Sequence, residues 1–305
     1  MKPNATIFSD AFTPTRIMLH FKQLSSRMVN RVFYFWTKFK RSLAPHFLEF
    51  FVYSTSGFGS IFLNNSLTFH QKIRWIALLF KTRRNHRMSK LAAAIIKKTS
   101  EENPIILDIG ANVGLFTKAF MKASKTPKCI IAIEPSFYVF SILSKITANM
   151  PVVRCRKLAL SHEAATVDLK TPLKKSGSFR VGLSHIGNFG DQKVFVETVE
   201  AKRLDDVLSD EKIDQVDIVK LDVEGAEEQV IAGAPNLFYN VRPIWFVELV
   251  QRRTDNFDGS AEKVFLNFIA AGYEAFVLNP DYEWDHVNKL NEHTDYLFVP
   301  ISPST

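Results

Sequence analysis

The chain has 305 residues, room for one large domain or two small ones at roughly 150 residues per domain. Its 46% apolar and 23% charged content excludes a disordered chain, and two cysteines, Cys129 and Cys155, exclude a disulfide scaffold or a zinc site built on thiolates. The net charge of +8 is uneven: residues 1–100 carry 17 Lys/Arg against 2 Asp/Glu, and residues 101–305 carry 22 against 29.

Such asymmetry predicts a basic module that meets an anionic surface, joined to a mildly acidic domain. In the first third, Ile17, Met18, Phe21, Leu24, Met28, Val32, Phe35 and Phe39 recur at steps of mostly three and four, the period of one helix face. Lys22, Arg27, Arg31 and Lys38 lie between them, and 17 of the chain's 38 aromatic residues fall in residues 1–100. Three readings are open: a helix lying in an anionic membrane interface, a helix packed on the main domain, or a nucleic-acid arm. The apolar run 43–69 has one charge, Glu49, but STSGFGS and Asn64-Asn65 break it, which argues against a spanning helix. No continuous apolar stretch follows Met1-Lys2, so no secretory signal is expected. The expected location is cytoplasmic, with peripheral contact at the inner face of a membrane.

TSEENP (99–104) marks the change in composition, and we expect the basic, aromatic helical region at 1–100 and the main domain at 101–305. From there, strand patterns at 105–109, 129–134, 151–160, 216–222, 243–249, 273–278 and 296–300 alternate with helical ones. The helical patterns lie at 115–124, 137–150, 225–234 and 260–272, the last ending on Gly272 as a cap. This is the signature of an α/β fold with a mostly parallel sheet. The segment 161–209 is too long for a simple crossover; ATVDL and VFVETVEAK predict added antiparallel strands and RLDDVL a short helix.

ILDIGANVGLF (106–116) reads as strand, Gly-containing turn and helix, running from the strand to Phe116. A pyrophosphate-binding loop of this kind begins with glycine, and here Asp108 stands in that place. A carboxylate there would repel phosphates and suit S-adenosylmethionine, which carries an ammonium and a sulfonium, directly or through water. Gly110 and Gly114 supply the turn and the close helix–strand approach, and Asn112 predicts a positive φ at or beside it. Glu134, 20 residues after Gly114, is placed to accept hydrogen bonds from ribose hydroxyls, with Pro135 turning the chain. Ala159, Leu160 and Ser161 would border the adenine.

DIGANVGLFT, IEPSFYVFSIL and DIVKLDVEGAEEQVIAGA together resemble the FkbM family of S-adenosylmethionine-dependent methyltransferases, over roughly residues 103–250. The resemblance implies a class I, Rossmann-like fold: a seven-stranded mostly parallel sheet with helices on both faces and a last strand running antiparallel. It also implies O-methylation of sugar or polyketide hydroxyls.

Ligands of open α/β sheets bind beyond the carboxyl ends of the strands. Asp222, Glu224 and Glu248 end the fourth and fifth strand patterns there. A hydroxyl acceptor needs a general base, for which Asp222 is the first choice, Glu224 the second, and His185 in the insertion a third from above. Glu227 is assigned to the helix start. The three acids could also hold a divalent cation, but nothing in the pattern demands one and no metal is assigned. The expectation is therefore an O-methyltransferase acting on a sugar, glycolipid or other small metabolite, with S-adenosylmethionine as cofactor and nucleic acid disfavoured as a partner. An RNA methyltransferase with a basic arm and an inactive cofactor-binding scaffold at a membrane are the alternatives.

Overall fold

The computed structural model describes residues 67–81, 86–124, 126–184, 192–251 and 260–301, which form one compact unit. The amphipathic basic stretch at 17–39 and His185 lie outside the described residues. Among the described residues, no helix is long and apolar enough to cross a membrane.

The elements begin with α1 (Phe69–Lys81) and α2 (His86–Ile96), followed by β1 (Ile105–Ile109), α3 (Leu115–Ala123), β2 (Cys129–Ile133) and α4 (Phe137–Thr147). Next come β3 (Val153–Arg156), β4 (Ala159–Leu160), β5 (Ala165–Pro172), β6 (Val194–Lys202) and α5 (Leu204–Asp210). The chain continues through β7 (Ile218–Leu221), α6 (Glu227–Ala232), a π-helical turn at Leu237–Val241, β8 (Ile244–Glu248) and α7 (Ala261–Ala270). It closes with β9 (Tyr273–Leu278), β10 (Trp284–Val287) and β11 (Asp295–Pro300).

The main sheet has the order β10-β9-β11-β8-β7-β1-β2-β3. β3, β2, β1, β7 and β8 are parallel, and β11 runs antiparallel between β8 and β9. This is the expected Rossmann-like architecture with one addition. The sheet has eight strands rather than seven, because the turn at Asn279–Glu283 folds β10 back onto β9 as an edge hairpin. The strand pattern at 151–160 is two strands: β3 closes the main sheet, and β4 joins β6 and β5 in a separate three-stranded sheet. The added antiparallel pair in the insertion is present as β5 and β6, and RLDDVL is α5.

The central parallel strands β1, β2, β7 and β8 are buried on both faces, so their side chains divide by alternation. Leu107, Ile131, Val219 and Trp245 face one layer with Val230, Phe265 and Phe268. Ile106, Ile130, Ile218 and Phe246 face the other, against Phe120 of α3 and Leu91, Ala92 and Ile95 of α2. The apolar face of α2 is thus part of the core, which corrects the boundary expected at residue 100. α1 is tied in as well. Trp75 is fully buried and its indole N–H donates to Ser141 Oγ at 2.7 Å, while Tyr138 Oη donates to the Gln71 carbonyl at 2.6 Å. α7 ends as its sequence suggests, with Gly272 at φ +77° and its N–H bonded to the Ile269 carbonyl.

Candidate functional site

The loop after β1 is a run of alternating left-handed residues: Gly110 at φ +70°, Asn112 at +51° and Gly114 at +73°. The positive φ expected around Asn112 is present. Gly110 admits only glycine, because backbone blocks it, and Gly114 is tight against side-chain methyls. A Cβ on Gly110 would lie 1.8 Å from the Asp222 carbonyl oxygen, and one on Gly114 would lie 2.7 Å from a methyl of Ile146. The loop is hung from the end of β2, since the N–H groups of Gly110 and Ala111 both donate to the Ile133 carbonyl at 3.0 and 2.9 Å. Glu134 completes the suspension. One carboxylate oxygen accepts from Asn112 N–H at 2.8 Å and the other from Ser136 N–H at 2.9 Å. Burial pushes the Glu134 carboxyl up to about 7 from the usual 4.5, against the pull of those two backbone donors.

Beyond β7 the backbone turns through two more left-handed residues, Glu224 at φ +58° and Gly225 at +109°. The buried Glu227 holds that turn: its Oε1 accepts from the N–H groups of Val223 at 3.3 Å and Gly225 at 3.1 Å. Glu227 thus has the structural role expected of it, serving the loop that leads into α6. The turn brings Asp222 and Glu224 beside Glu248 at the end of β8, so that one carboxylate oxygen from each lies within 4.8 Å of the others. All three are partly exposed. The sequence expectation that these acids meet is therefore met in space, and a pair of parallel strands, β7 and β8, is the reason.

Between the two loops lies a cleft of about 730 Å³, counting space open to solvent. Gly110, Asn112, Glu134, Pro135, Ala159, Asp222 and Glu224 line it, all of them expected at the site. The insertion roofs it with Gly182 and Ser184; a Cβ on Gly182 would meet Asn112 Nδ2 at 3.0 Å, and the Ser184 hydroxyl is 2.8 Å from that of Thr171. Glu197 of β6 fastens this insertion to the site, accepting from the Phe137 N–H at the start of α4 at 3.1 Å.

Four expected cofactor residues stand elsewhere. Asp108 is fully buried and does not line the cleft; its Oδ2 accepts from the Thr117 hydroxyl at 2.5 Å and its Oδ1 is 3.6 Å from Lys220 Nζ. Strand alternation explains this, because the neighbouring Ile109 is the residue that reaches the cleft. Phe116 lies below the loop, packed on Phe120 and Phe246 with its ring under Lys220. Gly114 is a packing position against Leu143 and Ile146. Ser161 pairs with Lys202 and presses its carbonyl against Gly233, away from the cleft.

The sequence reading missed Lys220, Thr117 and the roof residues Gly182 and Ser184. The signal for Lys220 was present: one basic residue inside the otherwise apolar strand IVKL, which is 3% exposed. Lysine is rarely buried without partners.

Residues 108–275 match the Methyltransferase FkbM domain. Methyltransferase sdnD of Sordaria araneosa is 31% identical over 157 residues, covering 43% of this chain and 60% of that protein. The 2-O-methyltransferase NoeI of Sinorhizobium fredii is 27% identical over 169 residues, covering 51% of this chain and 68% of that one. The crystal structure of Methyltransferase FkbM from Methylobacillus flagellatus superposes with a TM-score of 0.43 at 14% identity, covering 65% of this chain and 44% of that one. The chain thus spans well under the whole length of the first of these relatives. With the domain match extending over more than half of its residues, the chain belongs to the FkbM family of S-adenosylmethionine-dependent methyltransferases.

Proposed function

We propose that this chain transfers the methyl group of S-adenosylmethionine to a hydroxyl of a sugar, glycolipid or other small metabolite. The observation that carries the reading is the cleft itself, with a glycine-framed loop on one side and the Asp222–Glu224–Glu248 cluster on the other. The lining contains Glu134, Asp222 and Glu224 and, among the described residues, no Lys or Arg. Such a surface suits a ligand with an ammonium and a sulfonium and repels a pyrophosphate. Ile109, Gly110 and Asn112 on one side and Gly182 and Ser184 on the other line the same cleft, where the nucleoside would lie.

When bound, the cofactor supplies an electrophilic methyl on sulfur. Glu134 would accept hydrogen bonds from the ribose hydroxyls, because a carboxylate keeps lone pairs free after two backbone N–H groups are satisfied. Pro135, Leu158 and Ala159 would border the adenine. Asp222 would take the proton of the acceptor hydroxyl as its oxygen attacks the methyl, and Glu224 and Glu248 would orient that hydroxyl. Asp108 takes part at one remove, beneath the loop. The similarity to NoeI, a 2-O-methyltransferase, supports oxygen as the acceptor atom.

Transfer of labelled methyl from S-adenosylmethionine into pools of glycans, lipids and RNA tests the reading. Label in a glycan or lipid hydroxyl that is lost in Asp222→Asn supports it; label in RNA alone, or none in any pool, overturns it. We also propose that the basic first third holds the enzyme at an anionic membrane surface. Flotation with anionic vesicles, lost on removing residues 1–60, supports that; undiminished flotation overturns it.

A further inference from the structure

Lys220 has no part in the proposed chemistry of the cleft. It is buried in the middle of the sheet, and its ammonium has three N–H donors. They meet the carbonyls of Ile109 at 3.1 Å and Gly110 at 2.8 Å, and Asp222 Oδ2 at 3.3 Å. Asp108, the other carboxylate nearby, is farther away at 3.6 Å and takes the Thr117 hydroxyl instead. A lysine present only to neutralise a buried acid would sit closest to that acid. This one sits closest to the first turn of the cofactor loop and to the proposed base.

The two carbonyls belong to consecutive residues, so one ammonium fixes both peptide planes where the chain enters its left-handed turn at Gly110. The third partner lies two residues further along the chain, just past the end of β7. We propose that Lys220 is a positioning residue that locks the cofactor loop to the Asp222 end of β7, so that the donor site and the base are held in register by one ammonium. This rests on the methyltransferase reading of the cleft. Burial opposes the charge on Lys220, but Asp222 and Asp108 outweigh it and the ammonium is retained.

The test is calorimetric titration of S-adenosylmethionine into the full chain and its variants, alongside thermal unfolding. Lys220→Met leaves Asp108 buried without its counter-charge and is expected to lose stability. The double variant Asp108→Asn with Lys220→Met leaves no lone buried charge and is expected to regain most of that stability. Its affinity for S-adenosylmethionine is nevertheless expected to fall by about tenfold or more, since two loop carbonyls lose their donor. Lys220→Arg restores the charge with a planar fork in place of three tetrahedral donors, and is expected to recover only part of the affinity. A folded double variant with wild-type affinity overturns the proposal and leaves the methyltransferase reading standing. A wild-type chain that does not bind S-adenosylmethionine overturns both. Should the variants fail to fold, nitrogen NMR of lysine-labelled wild type decides. A hydrogen-bonded ammonium signal, retained at about pH 8, must shift when S-adenosylmethionine is added; one that stays fixed overturns the proposal.

Discussion

Five carboxylates stand at the carboxyl ends of four neighbouring strands, and the fold treats them in two ways. On the β1–β2 side, Asp108 and Glu134 are buried, at 0% and 6% exposure; Asn112 and Ser136 hold both Glu134 oxygens, and Thr117 holds Oδ2 of Asp108 while its Oδ1 faces Lys220 at 3.6 Å. On the β7–β8 side, Asp222, Glu224 and Glu248 crowd together, partly exposed and facing one another. The same functional group serves as architecture where it is buried and bonded to the chain, and is available for chemistry where it is crowded and wet. The negative character of the cleft therefore comes from Asp222, Glu224 and Glu134, which line it, and not from Asp108, which is buried beneath it.

The two sides of the cleft should differ most at Asp222. Asp222→Asn keeps the shape and removes the proton acceptor, so methyl transfer should fall by about 10²–10⁴-fold. Urea unfolding should show a smaller loss in the same variant than in Asp108→Ala, because the partly exposed amide oxygen can still accept from Lys220. A fall of only a few-fold in single-turnover rate would place the base elsewhere. Asp108→Ala should do the reverse. It strips a buried ammonium of one partner and orphans Thr117, so it should cost about 3–5 kcal/mol of stability in denaturant unfolding. A stable Asp108→Ala with lost binding would restore Asp108 as a direct cofactor ligand.

Glu134 stands between the groups, buried yet lining the cleft, and pH sharpens its place. Its carboxyl value is raised from 4.5 to about 7, so between those values the folded chain holds a proton that the unfolded chain has released. Its contribution to stability therefore falls as pH rises through that window. Ribose hydroxyls prefer the carboxylate, so cofactor affinity should be full above about 7 and drop toward tenfold per pH unit below it. Calorimetry across pH checks this, and affinity that is flat with pH would separate Glu134 from the ribose. The smallest effect is expected in the roof. Gly182→Ala must adopt φ +85° and crowd Asn112 Nδ2, which should cost about 1 kcal/mol and weaken cofactor binding a few-fold. Unaltered binding would show that the roof does not close on the ligand.

The site was legible in the sequence where its causes are local. GANVG announces a turn with positive φ because glycine and asparagine alone tolerate it cheaply, and three such residues occur there. The meeting of Asp222, Glu224 and Glu248 follows from a general rule about strand ends in parallel sheets. The burial of Asp108 off the cleft was not legible, because a five-residue strand buried on both faces leaves no polar–apolar alternation from which to read side-chain direction. The domain boundary was misplaced because a change of charge at residues 99–104 says nothing about which side of it completes the core.

The sequence by itself determined most of the order of strands and helices from β1 onward, though not β10 or the division of 151–160 into two strands, together with the left-handed loop and the family, since these depend on periodicity and on residues close together in the chain. Only the tertiary structure decided which acids face the cleft, that α2 covers the sheet and that Lys220 joins the loop to Asp222. Those outcomes depend on segments more than one hundred residues apart, such as Lys220 and Ile109, where burial and the need to satisfy every polar group choose among arrangements that local pattern leaves equal.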